Sequence, residues 1–261
     1  MASDEGTDPM IELEGVGHRI DGAEILTDVT TRLPKGALTA LIGPNGAGKS
    51  TLLSLIARLA PLGQGRIRVD GLDVARTPSR QLALKMAVLG QETAVGSRLR
   101  VRELVGFGRW PHHQGRRTPA DAAAVEEAIA VFELDPLADR FLDELSGGQR
   151  QRAFLAMTFA QGTDWLLLDE PLNNLDMAHA RALLSRLNDL VRTGGRSVVV
   201  VMHDVNYAAA WADHILALKD GRIAAEGTPA EVLTTPILHR LYGIEMEVAE
   251  HRGRPLVLHH V

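Results

Sequence analysis

The 261-residue sequence contains no cysteine. That excludes a disulfide framework and a thiolate metal site, and it fits a reducing compartment. Excess positive charge is also missing. Lys and Arg number 28 against 33 Asp and Glu, a formal net charge of -5. No domain-wide basic field points to nucleic acid. Long apolar runs are absent too. WLLL at 165 and VVVVM at 198 are far too short to span a bilayer. The opening residues, MASDEGTDP, are acidic and lack an apolar core, so they do not read as a signal peptide. Residues 1–9 are expected to form a disordered tail. If the protein serves a membrane, it does so as a peripheral subunit.

What is present is a soluble globular composition, 45% hydrophobic and 23% charged. The length suits one large domain or a domain with an inserted subdomain. Strand-like runs occur at 10–16 and 37–42, and a helical pattern runs from Lys49 to about Arg58. RIRVDG at 66–71 alternates like a strand, and MAVLGQ at 86–91 reads as a short buried one. From Val101 to Phe159 the pattern turns helical, including ADAAAVEEAIAVFEL at 120–134 behind Thr118-Pro119. Strand–helix alternation then resumes. WLLLD and SVVVVM are strands, and 177–191 and AAAWA are helical. ILALKD and RIAAEG pair around Asp220-Gly221. The tail from Gly243 allows a strand or two. This is an α/β core with a helical insert at roughly 92–160.

GPNGAGKS at 43–50 fits G-x-x-x-x-G-K-[ST] and lies between an expected strand and an expected helix. Gly43, Asn45, Gly46 and Gly48 let backbone N–H groups turn inward around phosphate oxygens, and the helix N-terminus favours negative charge. Lys49 should reach the β- and γ-phosphates. The Ser50 hydroxyl should ligate Mg2+, and Thr51 should help hold the α-phosphate. The rival is a plain helix-capping turn, which does not require the Lys-Ser pair. DWLLLDEP at 164–171 ends a buried strand on Asp169-Glu170. Strand ends of this kind sit at the ligand edge of an open α/β sheet. Asp169 then partners Mg2+, and Glu170 can polarise a water for attack on the γ-phosphate. Alone, the pair would read as exposed carboxylates; beside the glycine loop it reads as a site.

A second glycine turn, ELSGGQRQR at 144–152, resembles the signature of ABC transporter ATP-binding subunits, LSGGQ. GPNGAGKST and LLLDEP are similar to that family's two nucleotide-binding motifs, and the resemblance covers essentially the whole chain. It implies further roles. Gln91 would touch Mg2+ and the attacking water, Asp176 in NLD would lie in the D-loop, and His203 would act beside the γ-phosphate. The implied fold is a P-loop NTPase of ABC type with an N-terminal antiparallel β part. Its core would span 10–91 and 161–242, its helical subdomain 92–160 and a C-terminal extension 243–261. Ser146, Gly147, Gly148 and Gln149 would act on ATP held by a second copy of the chain, head to tail. Three stretches, VRELVGFGRWPHHQGR, DEPLNNLDMAHA and HDVNYAAAWADHILALKDGRIAAEGTPAEVL, resemble ATPases that energise iron–siderophore uptake. DEPLNNLDM leans to the catecholate-type branch.

That resemblance implies a bacterial importer ATPase at the cytoplasmic face of the cell membrane. It also implies permease subunits and, indirectly, a periplasmic or lipid-anchored substrate-binding protein. Importers of haem and vitamin B12 are related alternatives. A soluble non-transport ABC ATPase is a weaker one, because the chain has one cassette and no heptad run. A catalytically dead module conflicts with Glu170, Gln91 and His203. One departure concerns adenine. Where the family often has a stacking Tyr, this chain has Ile20, with His18 two residues earlier as a possible substitute. Val101, Leu104, Val105, Phe107 and Trp110 are candidates for a permease groove, with Phe107 or Trp110 expected to be partly exposed. His112, His113 and the Arg116-Arg117 pair read as solvated, His259 and His260 as a surface tail, and Trp165 and Trp211 as packing residues.

Overall fold

The computed structural model describes residues 10–90, 98–173 and 175–258. Residues 1–9, Gln91 and His259-His260 lie outside them. The chain opens on a hairpin of β1 (Met10–Ile20) and β2 (Ala23–Pro34). Its two-residue turn, Asp21-Gly22, has φ of 50° and 83°. Positive φ at both positions suits a hairpin because the turn's twist matches that of the strands. The sequence pattern ended β1 at residue 16 and gave no sign of β2. Three register shifts between the strands break the period-two alternation, and one lies beside Asp28, at φ 51°.

β3 (Leu38–Ile42) follows and is buried along its whole length. Then come α1 (Lys49–Ile56), β4 (Gln64–Val69), β5 (Leu72–Asp73), α2 (Ser79–Ala83) and β6 (Met86–Leu89). Four helices come next: α3 (Val101–Phe107), α4 (Trp110–His113), α5 (Pro119–Val131) and α6 (Gly147–Ala160). Alternation returns with β7 (Trp165–Leu168), α7 (Met177–Arg192), β8 (Ser197–Val201), α8 (Val205–Trp211), β9 (His214–Lys219) and β10 (Arg222–Gly227). The chain closes on α9 (Pro229–Val232), α10 (Thr235–Tyr242) and a hairpin of β11 (Glu247–His251) and β12 (Arg254–Leu258).

The central sheet has the order β10-β9-β3-β8-β7-β6. Strands β9, β3, β8, β7 and β6 are parallel, and only β10 is antiparallel. The N-terminal sheet, β2-β1-β4-β5, is antiparallel throughout. The run of apolar residues in each parallel strand feeds two cores, because successive side chains point to opposite faces. On β7, Trp165 and Leu167 join the core shared with the N-terminal sheet and α1. Leu166 and Leu168 join the core shared with α3, α5, α6, α7 and α8. β8 divides in the same way, Val199 and Val201 against Val198 and Val200. Among the described residues no helix is long and apolar enough to cross a membrane.

The helical segment corrects two sequence expectations. Val101, Leu104 and Val105 are 0%, 2% and 0% exposed, so they form the helices' own core and not a groove. Their spacing is that of the inner face of a helix packed on α5 and α6. His112 is half-buried, and its Nε2 lies 2.7 Å from the Gln161 carbonyl oxygen. His113 is also half-buried, with its ring edge-on to Trp110. Phe107 and Trp110 are 48% and 56% exposed, as expected of the outward side. Arg116 and Arg117 are exposed, Trp165 is buried and Trp211 packs against the core.

Candidate functional site

The parallel strands deliver their C-terminal ends to one edge of the sheet. β3 ends at Ile42 and runs into the glycine loop, β7 ends before Asp169, and β8 ends two residues before His203. β8 lies between β3 and β7, so sheet order alone gathers the loop, the acidic pair and the histidine.

Loop geometry explains its glycines. Gly43 has φ 140°, and a Cβ there would lie 2.0 Å from the Leu218 carbonyl oxygen of β9. Gly48 caps α1 at φ 95°, and a Cβ would press on Leu26 at 2.7 Å. Gly46 is also left-handed, at φ 78°, and faces open space at the loop tip beside exposed Asn45. Lys49, 5% exposed, donates to the carbonyl oxygens of Gly43 at 2.8 Å and Pro44 at 2.9 Å. Those bonds bend the lysine back over its own loop. Ser50 donates from Oγ to Asp169 Oδ1 at 2.8 Å, and Thr51 sits in the first turn of α1.

The acidic pair is electrostatically loaded. Burial pushes the Asp169 carboxyl above its ordinary value; the Ser50 hydrogen bond and the Lys49 charge oppose this, and neighbouring Glu170 adds to it. Burial likewise lowers the Lys49 ammonium, against the pull of Glu170 and Asp169. Glu170 adopts φ 50°, a left-handed conformation rare for a non-glycine residue. Such strain persists where surroundings hold it, and here both carboxylate oxygens are held. Asn173 Nδ2 donates to Oε2 at 2.6 Å, and His203 Nε2 lies 2.7 Å from Oε1. Asn173 was missed by the sequence reading. Its only signal is its place three residues after Glu170, where a turn brings it back.

The second glycine turn is built as a helix start. Ser146 caps α6: its Oγ accepts from the Gln149 N–H at 3.3 Å, and its own N–H donates to Gln149 Oε1 at 3.0 Å. This reciprocal box fixes the turn. It leaves Ser146 and Gly147 exposed, with Gly148 and Gln149 half-buried. Asp176 caps α7. Its Oδ1 accepts from the His179 N–H and meets His179 Nδ1, both at 2.8 Å. Ile20 stands at the end of β1, 47% exposed. His18 instead lines a cavity of about 440 Å³ with Arg19, Glu24, Asp28, Pro61 and Gln64.

The ABC transporter family model matches residues 26–173. The chain belongs to the ABC transporter family. Among curated relatives of this ATPase, the petrobactin import ATP-binding protein YclP of Bacillus subtilis is 43% identical over 239 residues, covering 92% of this chain and 95% of its own. The hemin import ATP-binding protein HmuV of Pseudomonas entomophila is 40% identical over 258 residues, covering 95% and 99%. A solved dimeric ATP-binding cassette, in a post-hydrolysis state with ADP and phosphate, matches with a TM-score of 0.77 at 26% identity. It covers 84% of this chain and 98% of that one. The ABC ATPase fold and ATP hydrolysis coupled to transport follow from these matches.

Two hard oxygen donors, Ser50 Oγ and Asp169 Oδ1, stand side by side next to the lysine loop. That set fits Mg2+, which favours one or two protein oxygens together with substrate phosphates and water. Among the described residues no group of three or more His, Cys, Asp or Glu could hold a metal by itself.

Proposed function

We propose that the chain hydrolyses ATP to drive import of an iron–siderophore complex, as a homodimer bound to a membrane permease at the cytoplasmic face. The observation that carries hydrolysis is the Glu170 carboxylate, held between Asn173 and His203 at the strand edge that also presents Lys49 and Ser50. Lys49 exchanges its loop carbonyls for the β- and γ-phosphates, which are stronger, charged acceptors. The amides of Gly46 and Gly48 face the phosphates, and Thr51 holds the α-phosphate. Glu170 takes a proton from the attacking water. His203 leaves Glu170 and donates to the γ-phosphate oxygen on which charge accumulates. Ser50 and Asp169 would hold Mg2+, with Gln91 assigned as a further ligand, and the cation would supply neutralisation of the phosphate charge.

The remaining charge is covered from outside. Ser146, Gly147, Gly148 and Gln149 are presented at the start of α6, where backbone N–H groups and the helix dipole suit an anion. We assign them to the ATP of the second copy, with Asp176 at the same interface. The dimeric relative supports this arrangement. We assign the segment 92–160 to a helical subdomain that transmits closure to the permease, and 10–91 with 161–242 to the core. A periplasmic or lipid-anchored binding protein supplies cargo from the far side.

The cargo class is supported by the petrobactin importer subunit. The hemin importer subunit, similar over nearly the whole chain, favours haem as the second reading. Uptake of radiolabelled iron, as ferric siderophore or as haem, in cells lacking this chain separates them. Restoration of siderophore uptake by the wild-type chain and not by Glu170→Gln is expected. Restoration of haem uptake alone would replace the first reading with the second.

A further inference from the structure

The C-terminal hairpin is bonded to the helix that follows His203. Asn206, in the first turn of α8, donates from Nδ2 to the Val257 carbonyl oxygen at 3.0 Å and accepts the Val257 N–H on Oδ1 at 2.8 Å. The backbone N–H of Val257 can only donate, so it fixes which way the amide points. The side-chain amide thus pairs with the edge of β12 as a neighbouring strand would. One turn later, Arg254 Nη1 donates to the Ala209 carbonyl oxygen at 3.0 Å. The hairpin therefore holds α8 at two levels. Asp204 caps the same helix by accepting the Asn206 N–H at 2.8 Å, directly after His203.

We infer that Asn206 is a positioning residue: through Val257 it uses the C-terminal hairpin to set where His203 stands relative to Glu170. This rests on the role given to His203 above. The amide bonds cross 51 residues of sequence and join the C-terminal hairpin to the first turn of the helix that starts two residues after the histidine. A free α8, only seven residues long, has little rigidity of its own. A shift of about 1 Å at a reacting group can slow a reaction by up to about 100-fold.

The test compares Asn206→Ala, Arg254→Ala and His203→Ala in the purified full chain. Each variant is measured for kcat at saturating ATP and for Kd of a fluorescent ATP analogue. Asn206→Ala is expected to lower kcat by about tenfold with Kd unchanged, and Arg254→Ala to lower it less. Wild-type kcat in both hairpin-contact variants, with His203→Ala slow, would overturn the inference alone. Wild-type kcat in His203→Ala would instead overturn the role of the histidine. A parallel loss of binding and turnover in Asn206→Ala would mark a merely structural contact, and Arg254→Ala supplies the same readout if Asn206→Ala does not fold.

Discussion

His203 Nε2 lies 2.7 Å from Glu170 Oε1, and the two residues follow neighbouring parallel strands. The pairing gives Glu170 a fixed direction before any chemistry. Glu170→Gln keeps the shape and removes the proton acceptor. Turnover should fall by roughly 100-fold or more, the scale of a lost general base. ATP binding should persist, because a carboxylate beside the γ-phosphate repels it. Phosphate release measured beside nucleotide affinity checks both parts. Turnover near the wild-type rate would remove Glu170 from the mechanism.

Two glycines of one loop should respond differently to alanine. At Gly43 a Cβ would meet the Leu218 carbonyl oxygen at 2.0 Å, and backbone cannot move aside cheaply. Gly43→Ala should unfold the chain or leave it far less stable. Gly46 faces open space, so Gly46→Ala carries mainly the left-handed strain, about 1–2 kcal/mol. Urea denaturation of both variants makes the comparison. Equal losses would show that the approach of β9 to Gly43 is not the constraint.

The parallel strands of the central sheet were legible in the sequence because they are largely buried on both faces and read as apolar runs. The same holds for the loop at 43–50, whose residue types and flanking elements agree. β2 was not legible, because its bulges destroy alternation. The inward turn of Val101, Leu104 and Val105 was not either. A helix's apolar stripe looks the same whether it meets its own neighbours or a partner. Asn173 and Asn206 escaped for a third reason: each acts through a bond that only the folded chain creates. Gln91 and residues 1–9 fall outside the described residues.

Asp169 and Glu170 place two carboxylates beside one buried ammonium, Lys49. Asp169→Asn removes one negative charge from that group; because burial disfavours the charged Asp169 carboxyl, the substitution should stabilise the nucleotide-free chain while abolishing turnover. The pH dependence follows from the sign. The folded carboxyl has a raised pKa, so the folded chain holds its proton more tightly than the unfolded chain does. The wild-type deficit is therefore full above the raised pKa and shrinks as pH falls towards the ordinary value of 3.8. Melting curves of both proteins across this range test it. A gap that widens on acidification would contradict the assignment.

Ser146 holds its turn through the reciprocal bonds with Gln149 and remains exposed. Ser146→Arg places a long cation where the partner's ATP would dock. In the Glu170→Gln background, ATP should produce a dimer on gel filtration. The added Ser146→Arg should leave a monomer that still binds ATP. The capping loss, about 1 kcal/mol, is too small to unfold the chain. A persisting ATP-dependent dimer would show that this turn does not face the partner.

Ile20 and His18 are the two candidates for contact with adenine. His18 lines the cavity formed with Pro61, Leu62, Gly63 and Gln64, residues that follow the C-terminal end of α1. Leu26 lines the same cavity and borders Gly48, beside Lys49. Ile20 stands exposed at the hairpin turn, 29 residues before Lys49. We assign the adenine contact to Ile20, whose apolar side chain offers a surface without ring stacking. Ile20→Tyr should add a stacking contact worth about 1–3 kcal/mol and tighten ATP by about tenfold or more. Titration with ATP and with a base-altered nucleotide such as CTP reads the effect, because a stacking gain should be larger for the purine. An equal gain for both nucleotides would place the new contact away from the base.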